Sequence, residues 1–189
     1  MILRKARLFA MLLLAATAAQ TSAQETSAAT APPTARANDV ASLDAILQTL
    51  YQVISGPAGE KRDWDRFRSL FAPGARLIPI ARPQGGPAQA RIMTPDDFAA
   101  NAGPRMEERG FFEREIGRVT ETFGGVTHVM SAYESRQTAE DPEPFARGIN
   151  SIQLLNDGTR WWVVSIFWDS ERPDNPIPGK YLSGSGSRD

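Results

Sequence analysis

The chain predicts an α+β domain in which three helices pack on one face of a curved, mainly antiparallel mixed sheet. Three observations carry that prediction. Asp39 to Ser55 places Val40, Leu43, Ile46, Leu47, Leu50, Tyr51, Val53 and Ile54 at helical spacing. Thr94-Pro95-Asp96-Asp97 joins a capping residue, a proline at the first helical position and carboxylates in the first turn. Arg147 to Glu171 reads as two long strands around Asp157-Gly158, a two-residue turn whose positions tolerate positive φ.

The elements follow in order. The first helix takes Asn38 or Asp39 as its cap and stops at Gly56-Pro57. The second begins at Asp63, buries Trp64, Phe67, Leu70 and Phe71, and ends before Ala72-Pro73-Gly74. Arg76 to Ile80 and Ala90 to Met93 are short strands flanking a Pro/Gly-rich loop, and the third helix opens after Thr94. Phe111 to Phe123 and Val126 to Gln137 are strands, and the hairpin closes the domain. With Asp157 and Gly158 as the loop, Asn156 pairs with Thr159, Leu154 with Trp161, Ile152 with Val163, Asn150 with Ser165 and Gly148 with Phe167. Trp162, Val164, Ile166 and Trp168 then share the other face, so both sides of the ribbon are apolar and both need cover.

Residues 1–23 combine Arg4, Lys5 and Arg7 with an apolar run from Leu8 to Ala16 and a small-residue Thr21-Ser22-Ala23 end, the layout of a secretory signal peptide. The expected organisation is a signal peptide over 1–23, a flexible Ala/Thr/Pro tether over 24–37, one domain over 38–182 and a Gly/Ser-rich disordered tail over 183–189. The expected location is periplasmic or secreted, without a stable membrane anchor, since the apolar run is too short to span and there is no cysteine to acylate. Removing residues 1–23 lowers the net charge from −1 to −4. A mildly acidic domain with no basic run is not expected to bind nucleic acid. With one histidine and no cysteine, neither a metal site nor a cofactor is expected.

Two stretches carry a family resemblance. Asp63 to Leu77, DWDRFRSLFAPGARL, resembles the second helix and first strand of the NTF2-like (SnoaL-like) superfamily, and Asp157 to Ser165, DGTRWWVVS, resembles its last hairpin. The likeness extends over about Asp39 to Arg172. It implies a cone-shaped pocket between the helices and the concave sheet, and dimerisation through the outer sheet face. It implies no particular activity.

Candidate residues follow from the predicted faces. Asn150 and Ser165 are polar groups among Trp161, Val163, Ile152 and Phe167, so either they orient a ligand on which Trp161 and Phe167 stack, or they bond each other across the strands. Asp169, beside Phe167, is a candidate general base or else a rim residue paired with Arg147 or Arg172. His128 is either a base or a packed strand residue, and it shares a face with Met130, Ala132 and Glu134, while Tyr133 goes with Val129 and Ser131. Glu113 and Glu115, among Arg114 and Arg118, read as a solvent face instead of a carboxylate pair.

The function these readings support is an exported domain that binds a small, mostly apolar molecule or serves as a dimeric scaffold, without turnover. The alternative is a cofactor-free lyase or isomerase of the ketosteroid isomerase or polyketide cyclase type, with Asp169 or His128 as base, Tyr133 as donor and Asn150 as positioning group. The face of Trp162, Val164, Ile166 and Trp168 is either the homodimer seam or a dock for another exported protein.

Overall fold

The structure is a computed structural model describing residues 32–84, 86–182 and 186–187. The signal-peptide expectation and most of the tether lie outside the described residues. Three helices, α1 (Leu43–Ile54), α2 (Trp64–Arg68) and α3 (Pro95–Arg109), alternate with seven strands: β1 (Phe71–Ala81), β2 (Gln89–Ala90), β3 (Phe112–Phe123), β4 (Val126–Arg136), β5 (Ala146–Asn156), β6 (Trp161–Ser170) and β7 (Gly186–Ser187). They form one mixed sheet of order β2-β1-β6-β5-β4-β3-β7. The β1–β6 and β3–β7 pairs are parallel and the rest antiparallel.

α1 turns Ile46, Leu47, Leu50, Val53 and Ile54 onto the sheet, where Val129, Ile152, Leu154 and Val163 receive them. Its cap is Ser42, whose hydroxyl accepts from the Ala45 N–H at 3.1 Å, and not Asn38 or Asp39. Asp39 is instead buried, accepting from Arg66 Nε at 2.7 Å and Arg66 Nη2 at 2.8 Å. α2 lasts only five residues, because Phe71 has already entered β1. α3 carries the complete capping box, Thr94 and Asp97 each bonding the other's backbone N–H.

Two bulges decide what faces inward. On β3, Glu115 pairs with Tyr133 and Gly117 with Ala132, so Ile116 is an extra residue. Arg118 therefore lands on the same face as Glu113 and Glu115, opposite Ser131. On β6, Val163 pairs with Leu154 and Ser165 with Gln153, so Val164 is extra. The hairpin loop is four residues, with Asn156 opposite Trp161. Asp157 Oδ1 accepts from the N–H groups of Thr159 and Arg160, both at 2.8 Å, and Oδ2 from Trp162 Nε1 at 2.7 Å. Only Gly158 has positive φ in this turn.

The predicted register is corrected accordingly: Ile152 pairs with Ile166, Asn150 with Trp168, Ser151 with Phe167 and Gly148 with Ser170. Trp162, Val164, Ile166 and Trp168 do not share a face. Ile166 and Trp168 point into the cone, while Val164, 40% exposed, and Phe167, 43% exposed, take the outer side. Part of that side is covered by the chain itself. Residues 171–182 cross it, enclosing about 330 Å3 between Met130, Ile149, Phe167, Ile177 and Tyr181. At Gly117 the crossing segment lies so close that a Cβ would stand 3.0 Å from Leu182 Cα and closer still to the Tyr181 carbonyl. Among the described residues no helix is long and apolar enough to cross a membrane.

Candidate functional site

Between the helices and the concave side of the sheet lies a cavity of about 240 Å3. Its walls come from α1 (Leu50, Ile54), α3 (Phe98, Met106) and β6 (Ile166, Trp168). Phe98 and Trp168 meet edge to face at 6.3 Å, and Phe67 stacks on Phe98 at 5.5 Å behind them. Against these apolar walls stand a few polar groups: Tyr51, Glu113, Tyr133, Ser135 and Asn150.

Glu113 is the ionisable centre of this group. The residue is half-buried, with its carboxyl turned inward to Ser135 Oγ at 2.8 Å and to the side chain of Asn150. Burial raises its pKa to about 7, against the Ser135 and Asn150 hydrogen bonds that favour the charged form. Glu115, two residues on, is also pushed up by burial, against Ser131 and Arg118. Burial likewise pushes Tyr133 up to about 12, with Glu113 adding to it, and raises Tyr51 further. Both phenols keep their protons and can donate.

The polar groups form one directed chain. A carboxylate only accepts, so Ser131 Oγ donates to Glu115 Oε1 at 2.6 Å. Ser131 then accepts from the Tyr51 hydroxyl at 2.7 Å, and Tyr51 accepts from Asn150 Nδ2 at 3.1 Å. The Asn150 amide thus serves Glu113 directly and Glu115 through two hydroxyls.

The sequence-predicted residues divide between the two faces of the sheet. Asn150 and Tyr133 line the cavity. Trp161 packs on the core at the start of β6, away from the cavity lining. Ser165 and Phe167 are placed on the outer face by the Val164 bulge, so Asn150 and Ser165 do not meet. Asp169 is on the outer face too, paired with Arg82 and with Arg172 at 2.9 Å. Burial works to raise its pKa, but Arg82, the Ser170 N–H and Arg172 outweigh it and leave it below the ordinary value. His128 bonds Ser151 Oγ at 2.9 Å on the same outer side. Neither Asp169 nor His128 reaches the cavity as a base.

The solvent-face reading of Glu113 and Glu115 is overturned. Their partners Ser135 and Tyr133 are inward residues of β4, which pulls both glutamates onto the concave side. Tyr51 was legible only as a helix-core position, yet it spans from α1 to Ser131 and Asn150. Among the described residues no group of three or more histidine, aspartate or glutamate side chains is placed to hold a metal ion.

No family model and no curated protein matches the chain. Solved structures do resemble it. An NTF2-like protein of unknown function from Methylobacillus flagellatus is 14% identical, with 69% of this chain and 95% of that one covered, at a TM-score of 0.45. An NTF-2 like protein of unknown function from Silicibacter pomeroyi is 17% identical over 69% of this chain and 94% of that one, also at 0.45. A protein of unknown function with a cystatin-like fold from Nostoc punctiforme is 9% identical over 69% and 89%, at 0.48. At these identities the likeness concerns the fold alone.

Proposed function

We propose, for a domain similar in fold to NTF2-like proteins, that the cavity binds a small, mostly apolar carbonyl compound and that Glu113 moves a proton on it. One observation carries this reading: Glu113, held by Ser135 and Asn150, is the single carboxyl lining a mostly apolar cavity. A pKa near 7 leaves such a group able to take and return a proton near neutrality. The ionised Glu113 carboxyl removes a hydrogen from the carbon next to the carbonyl, and the Tyr133 hydroxyl donates to the oxygen that gains charge. Returning the proton to a different carbon gives an isomerase; losing a β-substituent gives a lyase. At about 240 Å3 the space lies just below the roughly 300 Å3 lower end for drug-sized ligands, which points to a one- or two-ring compound.

The test uses 2-tetralone, an enolisable two-ring ketone, in D2O. The protein should accelerate deuterium uptake beside the carbonyl, and Glu113→Gln should abolish the acceleration while ketone binding persists. Binding without acceleration leaves a ligand-binding domain and removes the proton transfer.

A dimeric scaffold is the second reading, favoured by the exposed Val164, Phe167 and Leu155 on the outer face. Native mass spectrometry of residues 24–189 decides it, since a monomeric mass discards the seam. Export rests on residues 1–23 and is checked by finding the N-terminus of the secreted product.

A further inference from the structure

The cavity adjoins a second depression of about 610 Å3, and Phe98, Met106, Phe111, Phe145 and Trp168 line both. The chemistry of the second is different. It carries Arg91, Arg105 and Arg109, with Asn101 and Gln137 as its other polar side chains and no carboxylate. All three arginines are exposed. Among the described residues none of the three makes a side-chain hydrogen bond or an ion pair; Arg91 acts only at longer range, helping to hold Asp97 below its ordinary pKa after the Thr94 hydrogen bonds. Every other described arginine is held by a carboxylate or a carbonyl, among them Arg36, Arg66, Arg76, Arg114 and Arg160. The uncommitted guanidinium groups of the described chain therefore collect in one place, beside the apolar cavity.

Local structure explains only part of this. Arg109 ends α3, where a cation suits the helix dipole. Arg105 stands one turn before it, and like charges at that spacing repel. The mature chain is net acidic, so a cluster of one sign against that background focuses anions.

We propose that the ligand of this site is an amphipathic carboxylate, its apolar body in the cavity and its anionic group in the arginine depression. This rests on the cavity reading above. The two ends fix the ligand's direction: Glu113 repels an anion from the inner end, and Arg91, Arg105 and Arg109 hold it at the outer one, where guanidinium groups match a carboxylate. A neutral carbonyl carried by the body then faces Glu113 and Tyr133.

The test compares naphthalene-2-acetate with naphthalene-2-acetamide, nearly equal in shape and different in charge, by calorimetric titration of residues 24–189 at about pH 8, where the acid is ionised. The acid should bind about tenfold tighter than the amide at low salt. The preference should shrink in high salt and vanish in Arg105→Gln/Arg109→Gln, with amide affinity unchanged. Equal binding of the two compounds, or a preference that survives the double substitution, overturns the anion site and leaves the cavity reading standing. Binding of neither overturns both.

Discussion

Replacing Glu113 by glutamine tests the central feature of the site without needing a substrate. The carboxyl ionises near 4.5 when unfolded and near 7 in the fold. Because the native state holds this proton more tightly, it binds more protons than the unfolded chain between those values. Stability from this group is therefore lost as pH rises from about 4.5 to 7, and is flat above. Holding the proton up to about pH 7 instead of about 4.5 is worth about 3 kcal/mol. Glutamine keeps the shape and carries no titration. Urea unfolding followed by tryptophan fluorescence, from about pH 4.5 to 8.5, should show Glu113→Gln gaining on the parent as pH rises, by about 3 kcal/mol at the top of the range. In thermal melts that is roughly 6–12 °C for a domain of this size. Other carboxylates titrate alike in both proteins, so the difference isolates Glu113. Parallel stability curves would refute the buried placement of this carboxyl and, with it, its role as a base.

Further outcomes are expected elsewhere. Gly148→Ala sets a Cβ 2.6 Å from the Tyr133 hydroxyl and closer to the Asp169 carbonyl, so it should cost about 1–3 kcal/mol and displace Tyr133, visible in denaturant midpoints and in weaker ligand binding. Arg66→Met leaves Asp39 buried and unpaired and should destabilise by about 3 kcal/mol, with most of the loss recovered in the Asp39→Leu/Arg66→Met double variant. Asp157→Ala removes the bonds that order the hairpin loop and should cost about 1–2 kcal/mol, accompanied by a change in Trp162 emission. Ending the chain after Arg172 uncovers Met130 and Ile149, and light scattering should show new self-association.

The elements of this fold were legible because their ends are written in local chemistry. Thr94-Pro95-Asp96-Asp97 marks the start of α3 to the residue, and β3 to β6 fall within one or two positions of their predicted limits, whereas β1 begins at Phe71, five residues before the expected Arg76. The site was not legible, for a different physical reason. Nothing in the residue types of Ile116 or Val164 announces an inserted residue, yet each bulge exchanges the faces of everything beyond it. The two-residue reading of the Asp157 turn shifts the β6 register by two positions and leaves its faces unchanged, so the Val164 bulge alone carries Ser165, Phe167 and Asp169 to the outer side. Glu113 was hidden by its neighbours: Arg114, which pairs with Glu134 on the outer face, made the strand look solvated. The signal that could have found it is the pairing of two glutamates with the inward positions Ser135 and Tyr133, a tertiary fact.

The two parallel pairings set an order in time. Apart from the two-residue β2, β1 has no sheet neighbour until β6 exists, about ninety residues later in the chain. β3 gains its outer neighbour only from the last residues of the sequence. A growing chain therefore holds α1, α2 and β1 as an unfinished unit, and the antiparallel β3–β6 meander is the natural first structure, onto which the amino-terminal third docks afterwards.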